Sequence, residues 1–375
     1  MSYARKFSVA EVESIVSSLV TAAKISNSSF SATRDNIVGL LDKVGKILTI
    51  DSVFTIDKLA RFEGEFLGFG KTIEEYQQDL MLPYDFDATG ANALNPDDPT
   101  YRPVFYSYTL GRKVIKTTLR NDNIERAVHF EDQLAGIVAM QTKRLEDSMA
   151  QYRYAVKREM LAKFIGLCEY EMDASNATIY ASLNAYNVNT LVKNGSPAVV
   201  GIVVKPIANT NNHTWAQAIA AGEVVLLNLT EEVPIPEDTS TAEAFIKAVK
   251  NDVEIAGDVS EGHSLNGNTL GAHEGLVLIM KQGIQSVLEV DSEAGAFHLD
   301  KVNVPADLIV VKDFGSYSGK AYVILMDSRA MRLHNTYNAT RDNFNGDGDF
   351  LNLFRHTEDT AWISRNCFVK VYLDD

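Results

Sequence analysis

The chain has 375 residues, of which 46% are hydrophobic and 23% charged, and its net charge is −15. This length predicts two or more packed units, and the ordinary composition excludes global disorder. No apolar run of about eighteen residues and no secretory signal occur, so we expect no membrane-spanning helix. The acidic balance argues against tight nucleic-acid binding by the chain as a whole, although it leaves room for a local basic surface.

The cysteines and the basic residues suggest ordinary structural roles. Cys168 and Cys367 are the only two cysteines, far apart in the sequence, so we expect buried, inert thiols and a reducing compartment. The basic residues cluster near acidic ones, which predicts solvated faces of mixed charge. These clusters are Arg112-Lys113, Lys143-Arg144, Arg153 and Lys157-Arg158.

The first fifty residues predict two amphipathic helices. Apolar residues recur at helical spacing from Val9 to Ala22 and again from Ile37 to Ile47, with a Ser/Asn-rich break between them. Neither helix carries residues suited to chemistry.

The segment from Lys58 to Arg120 predicts an extended excursion from the body of the protein. Its middle, Pro83 to Pro103, has four prolines and little helical or strand pattern. The run from Val104 to Leu119 is β-branched and aromatic, with Gly111 as a kink or bulge, and as one strand it would reach on the order of 50 Å. The near side, Phe66 to Leu80, fits a strand or a helix equally well. We expect this long arm to be completed by packing on a neighbouring subunit, because an isolated hairpin is marginal in water.

A single long helix is predicted from about Phe130 to Met172. Apolar residues fall three, four or seven apart, no proline interrupts them, and the spacing drifts off a strict heptad. A coiled coil is the alternative, but the mixed sequence that follows favours a helix packed across a sheet.

The remainder alternates strands and helices, so the predicted fold class is α+β. A capping box is expected at Ser240–Glu243, and Asn345 to Gly348 have the composition of a turn between two extended segments. Strands are expected at the following apolar runs: Ala198–Val204, Glu223–Leu229, Leu276–Met280, Leu308–Val311, Tyr322–Met326 and Phe368–Tyr372. A short helix is expected around Ile284–Leu288.

This order of parts resembles the Hong Kong 97-type fold of tailed-bacteriophage major capsid proteins. The runs Leu325–Leu333, Asp342–Phe350, Phe354–His356 and Asn366–Tyr372 resemble that family's closing hairpin and last strand. The resemblance implies an N-terminal arm, an extended β-hairpin loop, a long spine helix and a mixed α/β axial domain. The implied divisions are 1–57 (arm), 58–120 (extended loop), 121–175 (spine helix and peripheral domain), 176–330 (axial domain) and 331–375 (closing strands).

The resemblance also implies a function. It predicts a non-enzymatic shell subunit that forms pentamers and hexamers of an icosahedral capsid around double-stranded DNA. It implies a virion protein assembled in the host bacterial cytoplasm, with a separate scaffolding protein, a portal, no membrane and DNA bound without sequence specificity. Phe105, Tyr106 and Tyr108 are the expected inter-subunit contacts, and no catalytic, cofactor or metal residue is predicted. An encapsulin-like compartment is the alternative shell, although it would be shorter and lack so long a loop.

Catalytic alternatives find weak support. Gly68 to Thr72 resembles a phosphate loop, and with Asp327 it suggests a nucleotide-dependent enzyme that uses Lys71, but Glu65 stands where the motif needs glycine. Gly315 to Gly319 has Tyr317 in place of a nucleophilic serine. His263 and His273 could meet in space, and Asn343 to Asp347 imitates the start of a calcium loop without its closing glutamate. A structural role is therefore favoured over chemistry.

Overall fold

The computed structural model describes residues 57–68, 70, 72–78, 86, 101–106, 108–120, 131–269, 275–288 and 306–375. The helices predicted in the first fifty residues lie outside these ranges. In chain order the strands are β1 Glu63–Phe66, β2 Ile73–Gln78, β3 Tyr101–Tyr106, β4 Tyr108–Arg120, β5 Thr178–Ile179, β6 Leu191–Asn194, β7 Val199–Val203, β8 Val224–Leu226, β9 Thr230–Glu232, β10 Ser260–Glu261, β11 Asn268–Thr269, β12 Leu276–Lys281, β13 Ala306–Val311, β14 Ala321–Asp327, β15 Met331–Asn345, β16 Phe350–Ile363 and β17 Val369–Leu373. The helices with both ends described are α1 Glu131–Met172, α2 Trp215–Ala220 and α3 Thr239–Ala256.

Helix α1 confirms the predicted single long helix. It has 42 residues and, at about 1.5 Å per residue, spans roughly 60 Å. It contacts β4 and β16, so it packs across a sheet as expected. Buried residues recur along it three or four positions apart, which is the spacing of one helix face. They include Leu145, Met149, Met160, Leu161, Phe164, Ile165 and Cys168.

The long sheet has the strand order β1-β15-β16-β4. Strands β15 and β16 form a hairpin closed at residues 346–349, where the Asn345 side-chain oxygen accepts hydrogen bonds from the amides of Asp347 and Gly348. The predicted turn is therefore confirmed. Strand β4 joins the open side of β16, and one extra residue of β4 stands opposite Glu358. Gly111 lies in this bulge, as its position in the strand pattern predicted.

The stretch from Val104 to Leu119 is not one extended element, and this corrects the prediction. Its first part belongs to β3, which pairs with β2, and its second part is β4, which pairs with β16. The near side, between Phe66 and Leu80, contains strand β2. Of the segment predicted to extend from the body, only the β2–β3 hairpin is separate from the long sheet, because β1 and β4 are strands of that sheet.

A second sheet of five strands, in the order β13-β12-β14-β17-β9, forms the centre of the second half of the chain. Strand β14 is buried along its whole length. Ile324 and Met326 face the core shared with α1, whereas Tyr322, Val323 and Leu325 face the core beneath α3. Two successive residues face the same side because the register shifts between Ala321 and Val323. Covering on both faces explains the continuous apolar run seen in the sequence.

Two helix predictions differ in their outcome. The N-cap of helix α3 is Asp238, two residues before the predicted cap Ser240: the Asp238 carboxylate accepts a hydrogen bond from the Thr241 amide, and the Thr241 hydroxyl oxygen accepts one from the Asp238 amide. The short helix predicted after β12 is present over residues 284–288.

Candidate inter-subunit interface

The β2–β3 hairpin is a two-stranded sheet, and among the described strands β2 and β3 pair only with each other. Its antiparallel register runs from Ile73 opposite Tyr106 to Gln78 opposite Tyr101. The residues joining the two strands, 79–100, include five aspartates and no lysine or arginine. A two-stranded hairpin is marginally stable by itself in water, so packing against a further surface would stabilise this element.

The three aromatic residues predicted as inter-subunit contacts fall on two different strands. Phe105 and Tyr106 belong to β3 in the hairpin, whereas Tyr108 begins β4 and pairs with Ala361 of β16. Their side chains lie outside the described part of the chain. The prediction had grouped them on one strand, and the structure separates Tyr108 from the other two.

The hairpin is attached to the body at its base. Strand β1 runs parallel to β15, and the amide of Leu67 donates to the carbonyl of Asn335 at 2.9 Å. The Ser364 hydroxyl donates to a Glu75 carboxylate oxygen at 2.5 Å. These contacts fix where the hairpin leaves the body.

A cluster of five charged side chains reinforces this base: Asp57, Glu63, Arg153, Lys157 and Asp359. Lys157 is fully buried, pairs with Asp57, and its Nζ lies 2.8 Å from a Glu63 oxygen. Arg153 also pairs with Glu63, and its Nε lies 3.2 Å from Asp359 Oδ1. We call these five residues the anchor cluster, since they join the chain entering β1, helix α1 and the long sheet.

The prediction of a solvated, mixed-charge face is wrong for Lys157 and Arg153. Their side chains are 0% and 19% exposed. Residues four apart share a helix face, and Lys157 lies four positions before the buried Leu161. Its place on the same helix face as the buried apolar residues is the signal in the sequence that predicts burial of Lys157. Its partner Asp57 lies 100 residues earlier in the chain, and no local pattern pairs the two.

Large apolar side chains remain exposed near the hairpin and at the far end of the long sheet. Phe66, Phe86 and Phe344 are 63%, 91% and 59% exposed. Single exposed apolar residues are common, but two large aromatic ones beside a hairpin that pairs with no other described strand suit a surface that another chain covers.

Comparison with known proteins identifies the family. The family model of the phi29-like phage major capsid protein matches residues 3–367. The chain belongs to this family. A comparison with curated protein sequences finds no match.

Solved phage structures share the fold of this major capsid protein. The capsid structure of Staphylococcus phage Andhra matches 88% of this chain and 87% of its own at 10% identity, with a TM-score of 0.57. The capsid structure of the Cyanophage P-SCSP1u matches 88% and 91% at 8% identity, with a TM-score of 0.52. A chain from the structure of head fiber and inner core protein gp22 of native bacteriophage P68 matches 88% and 89% at 11% identity, with a TM-score of 0.51. The predicted α+β phage-capsid fold is confirmed.

Residues suggested for chemistry have structural roles in the described part of this capsid protein. Asp327 is buried, and its two carboxylate oxygens accept hydrogen bonds from the backbone amide and guanidinium of Arg329. Its suggested partner Lys71 lies outside the described residues, as does His273. His263 stacks on Phe368 with 5.3 Å between ring centroids, and burial followed by the charge of Lys370 lowers its pKa.

The two thiols are buried or nearly so, and burial raises the pKa of each. Cys168 is fully buried, which raises its pKa far above the usual range, and burial raises the pKa of Cys367 to about 12. Both thiols therefore stay protonated at neutral pH. Over the described residues, no group of three or more His, Cys, Asp or Glu side chains is arranged to hold a metal ion. None of the described helices combines the length and apolarity needed to cross a membrane.

Proposed function

We propose that this major capsid protein forms pentamers and hexamers of a closed icosahedral shell around double-stranded DNA. The observation that carries the proposal is the β2–β3 hairpin, which is anchored firmly at its base and pairs with no other described strand. Packing of each hairpin on a neighbour repeats the same contact throughout a shell, so many weak contacts give high avidity.

The proposal assigns roles to the parts of the chain. Residues 1–57 form an arm, the β2–β3 hairpin within 58–120 is the extended loop, α1 within 121–175 is the spine, 176–330 form the axial domain, and 331–375 close the core. Phe105 and Tyr106 contribute contacts from the hairpin, and Tyr108 contributes at its exit. A separate scaffolding protein and a portal act during assembly in the host cytoplasm, and the product is the virion shell.

Electron microscopy of the purified full-length chain tests the proposal. We expect closed shells built from five-fold and six-fold clusters of subunits. Their formation should depend on protein concentration because each contact is weak. The same preparation is assayed for ATP hydrolysis, and we expect none above a protein-free control. A chain that stays monomeric at every concentration and hydrolyses ATP would contradict the proposal.

A further inference from the structure

One face of the long sheet carries three exposed cations that form no ion pair with any carboxylate in the described part of the chain. The strand register aligns Arg341 of β15, Phe354 of β16 and Lys116 of β4 in one row across the sheet. Directly opposed residues share a face of a sheet, and residues two apart along a strand share it too. The row two positions further along contains Thr118, and the row beyond it contains Arg120.

We call this surface the cationic face; it consists of Lys116, Arg120, Arg341, Phe350, Phe354 and His356. Its three lysine and arginine residues are exposed, and among the described residues no carboxylate lies within ion-pair distance of them. Asp342 belongs to the opposite face by its register. Glu358, nearer the base, is 8% exposed and is already paired with Arg112.

The composition of strand β4 contributes positive charge to this surface. Strand β4 has four lysine or arginine residues and no aspartate or glutamate over residues 108–120. Lys116 and Arg120 lie outside the basic clusters noted in the sequence, because only the strand register brings them onto one face with Arg341. A chain of net charge −15 thus presents a local surface of opposite sign.

The dimensions of the cationic face suit a phosphate backbone. Lys116 and Arg120 are four positions apart, or about 13 Å along the strand, and Lys116 and Arg341 are two strands apart, or about 10 Å. Duplex DNA carries one phosphate per strand for about every 3.4 Å of helix axis, so cations separated by about 10–13 Å can each contact a different phosphate.

An aromatic ring supports one cation of this face. The Lys116 Nζ lies 5.6 Å from the centroid of the Phe354 ring, which favours a cation held over the sheet. A neighbouring Thr118 hydroxyl is bonded to the Asn352 amide oxygen at 2.7 Å. The surface therefore presents separated cations, one of them over an aromatic ring, and cations of this kind contact phosphates without reading bases.

We infer that the cationic face binds the phosphate backbone of double-stranded DNA without sequence preference. The inference rests on the proposed function, since a shell that encloses duplex DNA brings this polyanion to its subunits. The competing occupant is the acidic segment 79–100 of a second copy. That segment is also rich in apolar side chains, which require apolar pockets to bury them, whereas this face offers two phenyl rings, and one of them, Phe354, already lies under Lys116.

A salt titration of DNA binding tests the inference. The full-length chain is kept as dispersed subunits, and binding to a short fluorescein-labelled duplex of mixed sequence is followed by anisotropy over a range of NaCl concentrations. The test variant is K116Q/R120Q/R341Q. The control variant K163Q/K247Q/K250Q removes three exposed cations from helices α1 and α3, so the change in net charge is the same. Circular dichroism checks that both variants fold.

We expect the slope of log affinity against log salt to become shallower by about 2.7 in the test variant, since each phosphate contact contributes about 0.9. The control variant should keep the slope of the original chain. Equal slopes for the test and control variants would overturn the inference.

Shell formation by the same variants, viewed by electron microscopy, separates this inference from the proposed function. Normal shells together with weakened DNA binding support the inference. Lost shells together with unchanged DNA binding would assign the face to a second copy of the chain and overturn it. An original chain that never forms shells counts against the proposed function, and the titration still decides the inference.

Discussion

Replacement of residues 79–100 by Asn-Gly should weaken shell formation strongly and leave the subunit folded. Gln78 and Tyr101 form the last pair of the hairpin, and Asn-Gly closes such a pair with a two-residue turn whose twist matches the strands. The buried cores are built from residues outside the replaced segment, so folding should persist. We expect the concentration needed for assembly to rise at least about tenfold, which corresponds to about 1.4 kcal/mol for each subunit contact. Light scattering and electron microscopy measure it.

A control for this change keeps the length of the segment and removes its side chains. It replaces the 22 residues 79–100 with a Gly/Ser sequence of equal length. If the aspartates and apolar residues make the contact, this variant should assemble as poorly as the Asn-Gly variant while its far-ultraviolet circular dichroism stays unchanged. Shells formed by the Asn-Gly variant at the original concentration would remove the segment from the assembly mechanism.

The substitution Lys157→Met should lower the free energy of unfolding by about 3 kcal/mol. Removing one partner from a buried ion pair typically costs about 3–5 kcal/mol, because the remaining charge is left without compensation. The lower end applies here, since Glu63 keeps Arg153 and the Asp57 side chain is 23% exposed. Methionine preserves most of the side-chain volume, so the loss reports on charge rather than on packing. Urea denaturation of dispersed subunits measures the change.

Two further variants make the Lys157 result specific. Lys163 lies on the same helix, and its side chain is 73% exposed in a pair with Glu159. We therefore expect Lys163→Met to change the free energy of unfolding by at most about 0.5 kcal/mol. The double variant D57N/K157M should recover part of the lost stability, because one unpaired carboxylate is removed. Equal stability of the Lys157→Met and Lys163→Met variants would show that the anchor cluster contributes little.

Local patterns were sufficient where an element is long and its environment uniform. Helix α1 is described from Glu131 and ends at the predicted Met172, because an uninterrupted apolar spacing without proline leaves few alternatives. Strands β12 and β14 were recognisable as buried runs since both of their faces are covered. The turn after Asn345 was evident because its residues favour turn geometry by their own chemistry.

Three features could not be predicted from the sequence because they depend on strands or side chains that are distant along the chain. Val104 to Leu119 reads as one strand, since residues on both sides of Ser107 favour extended structure, and only the pairing of β3 with β2 and of β4 with β16 divides it. The cationic face has the same origin, because Arg341 joins Lys116 only when three separate strands come into register. The anchor cluster likewise depends on carboxylates that are distant in the sequence from the buried Lys157.

Hydrogen exchange of the hairpin amides tests most directly whether the β2–β3 hairpin is completed by a neighbouring subunit. Dispersed subunits and assembled shells of the unmodified chain are compared over residues 73–78 and 101–106, with strand β14 as an internal reference. We predict rapid exchange of the hairpin in dispersed subunits and at least about tenfold slower exchange in shells, while β14 is protected in both. Strong protection of the hairpin in dispersed subunits, unchanged on assembly, would contradict the account.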